Sequence, residues 1–222
     1  MKNYSTIKLI VFDLDGTLIN SYKTIFKTTL KTLQILNIPG IINENDFYGM
    51  MGHHFIDIFR ELNIPVNDFD EFIDIYKNHY FDFINESTFY PGLLKTLEKL
   101  MKDGIKISLL TTKGQEQADK IINYFELKKF FTYIMGRRDG IADKPSADPL
   151  LHICNEVSVL PAETLMVGDT EIDIKCGKNA GTKTCGVLYG YRTGESLSKA
   201  NPNCLISRID EILTYPGIST KR

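Results

Sequence analysis

Few cysteines, little net charge and no long apolar run characterise this sequence, and each scarcity closes off a class of function. Cys154, Cys176, Cys185 and Cys204 lie far apart, with no CxxC pair and no Cys/His cluster at zinc spacing. They read as reduced core thiols rather than as a disulfide frame or a zinc site. The formal net charge is -2 with 24% charged residues, a balance without the basic excess that recruits nucleic acid. No apolar stretch reaches the roughly 18 residues needed to cross a bilayer. The opening MKNYSTIKLIVFDLDG has neither a signal-peptide core nor a cleavage site, so a cytoplasmic location and no membrane partner are expected. Internal repeats and low-complexity segments are also absent.

What is present divides into two textures. From about Ile105 onward, strand-like runs alternate with helical patterns. IKISLLTT precedes a helix from Gln115 to about Leu127, FTYIMG one from Asp148 to Val157, and TLMVGD one from Ile172 to Ala180. TKTCGVLYG is followed by a polar loop and a last short helix near residues 209–213. Such alternation predicts an α/β fold, a parallel sheet with helices on both faces, and the run at residues 7–13 joins it. Residues 20–88 show helical periodicity and aromatic anchors but no convincing strand. Ile25, Leu30 and Leu33 form one stripe there, and Phe69, Phe72, Ile73, Tyr76 and Tyr80 a second. Pro91 opens the next core helix. The expected organisation is a core of residues 1–19 and 89–222 carrying a helical insert of residues 20–88. A chain of 222 residues buries roughly 70% of its unfolded surface, enough for both.

Within IVFDLDGTLI, residues 10–19, two aspartates one residue apart interrupt an apolar run that reads as a strand buried on both faces. An isolated buried ion costs several kcal/mol, so Asp13 and Asp15 belong at the open end of the strand, in a turn or near a cation. Further polar signals fall at the carboxyl ends of other strands, where open α/β sheets bind ligands. Thr111-Thr112-Lys113 ends the second core strand, and Gly168-Asp169 ends another with Asp173 four residues on. Lys144-Pro145 precedes the intervening helix. Asp13, Asp169 and Asp173 can build an oxygen cage for a hard divalent cation, with magnesium the natural occupant. A lysine and a threonine hydroxyl opposite would hold an anion against that metal, and the natural anion is phosphate.

These residues resemble the motifs of the haloacid dehalogenase-like superfamily of phosphohydrolases: DLDGT, the Thr111 that closes SLLT, Lys144 of KPSADP, and GDTEID, in the order and strand context of that family. The resemblance implies a Rossmann-like core and a phosphatase mechanism. Asp13 is then the nucleophile, Asp15 the general acid and base, and Thr111 and Lys144 hold the phosphoryl oxygens. Magnesium is held by Asp13, the Asp15 backbone carbonyl and Asp169, with Asp173 a ligand or the partner of a metal-bound water. Gly16 and Thr17 read mainly as turn residues, Gly16 also letting backbone amides approach phosphate. Thr112 contributes through its backbone, and Gly168 serves the turn before Asp169. An acidic residue at position 15 argues against carbon–halogen cleavage.

The insert resembles the α-helical cap of the phosphoglycolate phosphatase and β-phosphoglucomutase branch. Its GMMGHHF loop resembles that branch's substrate-contacting turn, where Gly52 allows close approach and His53 or His54 meets the leaving group. An exposed first helical turn is the plainer reading of the same pair. Arg137 and Arg138 read as an ordinary solvated pair. The expected activity is magnesium-dependent hydrolysis of a small-molecule phosphate ester, most like phosphoglycolate phosphatase, by a monomer or weak homodimer. A sugar phosphomutase, an inorganic pyrophosphatase and a non-catalytic binding protein are the alternatives.

Overall fold

A computed structural model describes residues 6–39 and 42–218. In chain order the first half carries β1 (Leu9–Phe12), β2 (Ile19–Asn20), α1 (Tyr22–Ile35), α2 (Glu44–Gly49), α3 (Phe55–Glu61), α4 (Phe69–His79), β3 (Thr88–Phe89) and α5 (Leu93–Lys102). There follow β4 (Lys106–Gly114), α6 (Gln115–Tyr124), β5 (Tyr133–Arg137), α7 (Asp148–Glu156), β6 (Thr164–Gly168), α8 (Glu171–Asn179), β7 (Lys183–Val187), α9 (Gly194–Lys199) and β8 (Cys204–Ile206). Residues up to Leu18 together with those from Tyr90 onward form one compact unit, and Ile19–Phe89 form another.

The first unit is a six-stranded sheet in the order β5-β4-β1-β6-β7-β8, every neighbouring pair parallel. All four residues of β1 are fully buried, as expected of a strand with helices covering both faces. Leu9 and Val11 pack with Leu150, Ile153, Met166 and Cys176 in one core cluster. Cys154, Cys176 and Cys185 are buried free thiols and Cys204 is half-buried. Because β1 lies centrally, with β4 and β6 on either side, the strand order reverses around it. The carboxyl end of β1 therefore opens into the crevice that such reversals create.

Several element boundaries differ from the sequence-based expectation. The helix begun at Gln115 stops at Tyr124, and Glu126 takes a left-handed φ of 56° beyond it. The expected polar loop after β7 holds a short helix, α9, and a three-residue edge strand, β8; elements this short carry almost no periodic signal. Gly92, at φ 87°, caps α5 after Pro91.

The second unit is helical, closed by a two-residue antiparallel ribbon of β2 and β3 that the sequence pattern did not reveal. Its apolar centre is aromatic: Phe55, Phe59, Phe72 and Tyr76 pack with ring centroids 4.8–6.1 Å apart in contacting pairs. On α1, Ile25 and Leu33 are buried but Leu30 is 39% exposed. The buried face instead carries Thr24, Thr28 and Thr32 at fourfold spacing, with Thr28 and Thr32 each donating a hydroxyl to the carbonyl four residues back.

Candidate active site

Asp13 is the first residue past β1, yet its N–H still donates to Val167 O at 2.9 Å, continuing the parallel ladder to β6. The chain then turns sharply, Leu18 N–H donating to Leu14 O at 3.0 Å and Gly16 adopting φ 82°. A Cβ on Gly16 would lie 2.2 Å from Asp169 Oδ2. Glycine is thus required there twice, for the left-handed turn and for the close approach of Asp169. The turn aims Asp15 back to the sheet edge, where its carboxylate meets Lys113 Nζ at 3.1 Å.

β4 and β5 change register between Leu110 and Gly114, and the irregularity sets Thr111, Thr112 and Lys113 at the rim, a usual place for bulges beside functional sites. Thr111 is buried and its Oγ1 accepts from Lys113 N–H at 3.2 Å; Thr112 is half-buried. Lys144, 5% exposed, reaches the same place from the loop before α7. Its Nζ donates to Asp13 Oδ1 at 2.6 Å, Asp173 Oδ1 at 2.6 Å and Leu110 O at 3.1 Å. Three acceptors thus surround the ammonium, of which the neutral Leu110 carbonyl is the farthest.

Asp169 follows β6 and is fully buried. Asp173 stands in the first turn of α8, where it forms a capping box with Thr170. Its Oδ2 accepts from Thr170 Oγ1 at 2.7 Å and from Thr170 N–H at 3.1 Å. Cap and lysine contact together fix both carboxylate oxygens, and the helix N-terminus adds favourable field for the negative charge. Gly168 departs from its expected role. Its backbone needs no left-handed turn; a Cβ there would lie 2.3 Å from Asp173 Cγ, so glycine serves close packing against α8.

Residues distant in sequence thus converge, with Asp13, Asp169 and Asp173 each offering a carboxylate oxygen within 4.8 Å of the others. Three buried carboxylates face a single ammonium, an unfavourable excess of negative charge. Burial pushes Asp13 up to about 7, against the opposing pull of Lys144 and with repulsion from Asp173 added. Asp169 is raised well above the usual carboxylate range by burial and by the charges of Asp13 and Asp173. Burial works against the Lys144 ammonium too, but Asp13 and Asp173 outweigh it and hold the charge in place. A hard dication fits this donor set, because oxygen ligands and surplus negative charge are what such an ion requires.

Residues 10–187 match the family described as haloacid dehalogenase-like hydrolase. The chain belongs to this family. Pyrophosphatase PpaX of Halalkalibacterium halodurans is 32% identical over 97% of this chain and 99% of its own. A phosphoglycolate phosphatase of Aquifex aeolicus is 32% identical over 93% and 95%. The solved structure of a haloacid dehalogenase-like family protein from Streptococcus pneumoniae superposes with a TM-score of 0.84 at 25% identity, covering 94% of this chain and 98% of that one.

Other features of this hydrolase's site were not legible in its motifs. The loop after β7 returns to the site, Tyr191 N–H donating to Asp169 Oδ2 at 2.7 Å and Tyr189 Oη to Thr17 O at 3.0 Å. Thr17 is fully buried, with Oγ1 3.4 Å from Asp169 Oδ1, and so does more than turn the chain. Arg138 is not a solvated residue: it is half-buried, bonded to Gln115 Oε1 at 2.5 Å and Tyr133 Oη at 3.2 Å. Arg137 is exposed. In the helical unit Gly52 takes φ 89°, His53 is exposed and His54 is the half-buried N-cap of α3, without a side-chain cap bond. No helix among the described residues is long and apolar enough to cross a membrane.

Proposed function

We propose that this hydrolase is a magnesium-dependent phosphatase of a small phosphorylated metabolite, working through a phosphoaspartate at Asp13. The observation that carries this reading is the bridging of Asp13 and Asp173 by Lys144 inside a cluster of acidic groups. Asp13, Asp169 and Asp173, with the Asp15 carbonyl, would hold the magnesium. When bound, the ion supplies positive charge against the carboxylates and the phosphoryl oxygens.

The chain's own groups divide the reaction as follows. An Asp13 oxygen bonds to phosphorus as the bond from phosphorus to the leaving oxygen breaks, and Asp15 gives that oxygen its proton. Water then loses a proton to Asp15 and attacks the same phosphorus. Orthophosphate leaves, and Asp13 and Asp15 return to their starting states. Thr111 and Lys144, with backbone N–H groups near Gly16 and Thr112, hold the phosphoryl oxygens. Lys144 also favours the ionised, nucleophilic form of Asp13 against the upward pull of burial. The helical unit, inserted between the first two motifs, is read as the cap that selects the organic part of the substrate.

Two substrates lead. The phosphoglycolate phosphatase relative supports a two-carbon phosphate monoester, and the pyrophosphatase relatives, 32% and 34% identical, support inorganic pyrophosphate. Orthophosphate release from a panel of both compounds and several sugar phosphates tests the reading. Steady magnesium-dependent release is expected from one of the two leading substrates. Isomer formation with slow release would replace this reading by a phosphomutase, and no release from any substrate by a binding role.

A further inference from the structure

The loop Tyr189–Arg192 lies outside every motif of the site, yet it is tied into the acidic cluster at several points. Tyr191 N–H donates to Asp169 Oδ2 at 2.7 Å, the short distance of a charge-assisted bond. Swinging the carboxylate would break that bond. Gly190 brings the peptide this close, since a Cβ there would lie 2.2 Å from Asp169 Cβ, 2.6 Å from Asp169 Oδ2 and 2.6 Å from the Gly16 carbonyl oxygen. From the other side, a Cβ on Gly16 would meet the Tyr191 ring at 2.8 Å. Two glycines and a carboxylate are thus mutually interlocked.

The loop is itself held at both ends. Tyr189 Oη donates to Thr17 O at 3.0 Å, and its ring packs against Tyr90 with centroids 4.5 Å apart. The Tyr191 side chain is buried. Arg192 Nε pairs with Glu171 Oε2 at 3.0 Å, its side chain only 8% exposed. These anchors leave the 190–191 peptide little freedom. With Asp169 Oδ2 engaged by the amide, Oδ1 is the less engaged oxygen, with a long 3.4 Å contact from Thr17 Oγ1.

We infer that the loop Tyr189–Arg192 is a positioning element that aims Asp169 Oδ1 at the divalent cation and so sets the affinity of the site for magnesium. The inference rests on the metal reading above and extends it to residues outside the motifs. Partners that orient metal ligands typically govern affinity by 10- to 100-fold. The purpose of Gly190 is then geometric, since any larger residue displaces either the amide or the carboxylate.

The test is calorimetric titration of Mg2+ into the full metal-free chain without substrate, with the melting temperature in EDTA as a separate measure of folding. Asp169→Asn should abolish binding. Gly190→Ala should weaken it at least about tenfold, and Tyr189→Phe, which removes only the bond to Thr17, at least about threefold. Phosphate release by each loop variant should recover as Mg2+ is raised. If Gly190→Ala fails to fold, Tyr189→Phe decides. Mg2+ affinity within twofold of the parent in either folded loop variant would overturn the role assigned to the loop, provided that Asp169→Asn has lost binding. Parental affinity in Asp169→Asn would overturn the metal reading and the inference with it. A parent chain that hydrolyses no phosphate compound, but whose loop variants bind Mg2+ more weakly, would remove the proposed function and leave the loop inference standing.

Discussion

The two units handle buried polarity in opposite ways. In the sheet unit, buried charges find partners far away in the chain: Lys144 reaches Asp13 across 131 residues and Asp173 across 29. In the helical unit, most buried hydroxyls of α1 are satisfied locally, Thr28, Thr29 and Thr32 each bonding the carbonyl four residues back, and Thr24 alone of the four buried threonines reaches outside the helix, to Phe83 O and Ser87 Oγ. Its ion pairs, such as Lys31 with Asp82, are exposed. A helix satisfies its own hydroxyls at little cost, whereas unpaired charges at a sheet edge are tolerated only where binding uses them. The comparison predicts that polar substitutions in the sheet unit act mainly on activity, and that the helical unit is vulnerable chiefly through its aromatic centre.

The sharpest break in that comparison should come from Asp13→Asn. An amide is a poor nucleophile and a poor metal ligand, so phosphate release should fall by a factor on the order of 10⁴ or more while the circular dichroism spectrum stays native. Near-parental turnover by the folded variant would remove Asp13 from the chemistry. In the helical unit the corresponding test is Phe72→Ala. The side chain is fully buried between Phe55 and Phe59, and its loss should cost about 3–5 kcal/mol in denaturant unfolding. A cost below about 1 kcal/mol would mean that the aromatic cluster is not what holds the unit together.

The acidic cluster also predicts an unusual pH response. Asp13 titrates near 7 in the folded, metal-free chain and near 3.8 when unfolded. Between those values the folded state holds the proton more tightly, so stability is present at the acid end and is lost as pH rises through the window. Without metal, the melting temperature should fall by a few degrees between about pH 5 and about pH 8. Mg2+ should raise it most at the upper end, where the carboxylates are ionised. EDTA should abolish phosphate release and Mg2+ restore it. A metal-free melting temperature that climbs with pH would contradict the surplus of buried negative charge.

The smallest expected effect concerns the helical unit's part in selection. Alanine at His53 or His54 should lower kcat/KM for the best natural substrate about tenfold, equivalent to roughly 1.4 kcal/mol. Hydrolysis of para-nitrophenyl phosphate, whose activated leaving group needs little help, should change far less. Equal effects on both compounds would return the pair to the role of an exposed helix start.

Much of the sheet unit was readable because its signals are local. Leu9–Phe12 announce a doubly buried strand by unbroken apolarity, and the alternation after Ile105 announces crossovers. Leu30 shows where such reading fails. Apolar spacing placed it on the stripe, but the buried face of α1 is lined by threonines, of which Thr28 and Thr32 spend their hydroxyls on the helix's own carbonyls. Arg138 was unreadable for a related reason, because Gln115, which helps to draw it inward, comes from another point of the chain.

By itself the sequence determined which polar residues stand at which strand ends, and so which are proposed to carry chemistry, since DLDGT, Thr111, Lys144 and GDTEID are fixed by local order. Tertiary structure alone decided how their charges are balanced: Lys144 shared between Asp13 and Asp173, Asp173 locked by the cap of α8, Asp15 set against Lys113, and Asp169 gripped by a loop from beyond β7. The physical reason is that hydrogen bonds and burial depend on distance in space. Neither the closeness of Gly190 to Asp169 nor the excess of carboxylate over ammonium exists until the parallel strands align their ends.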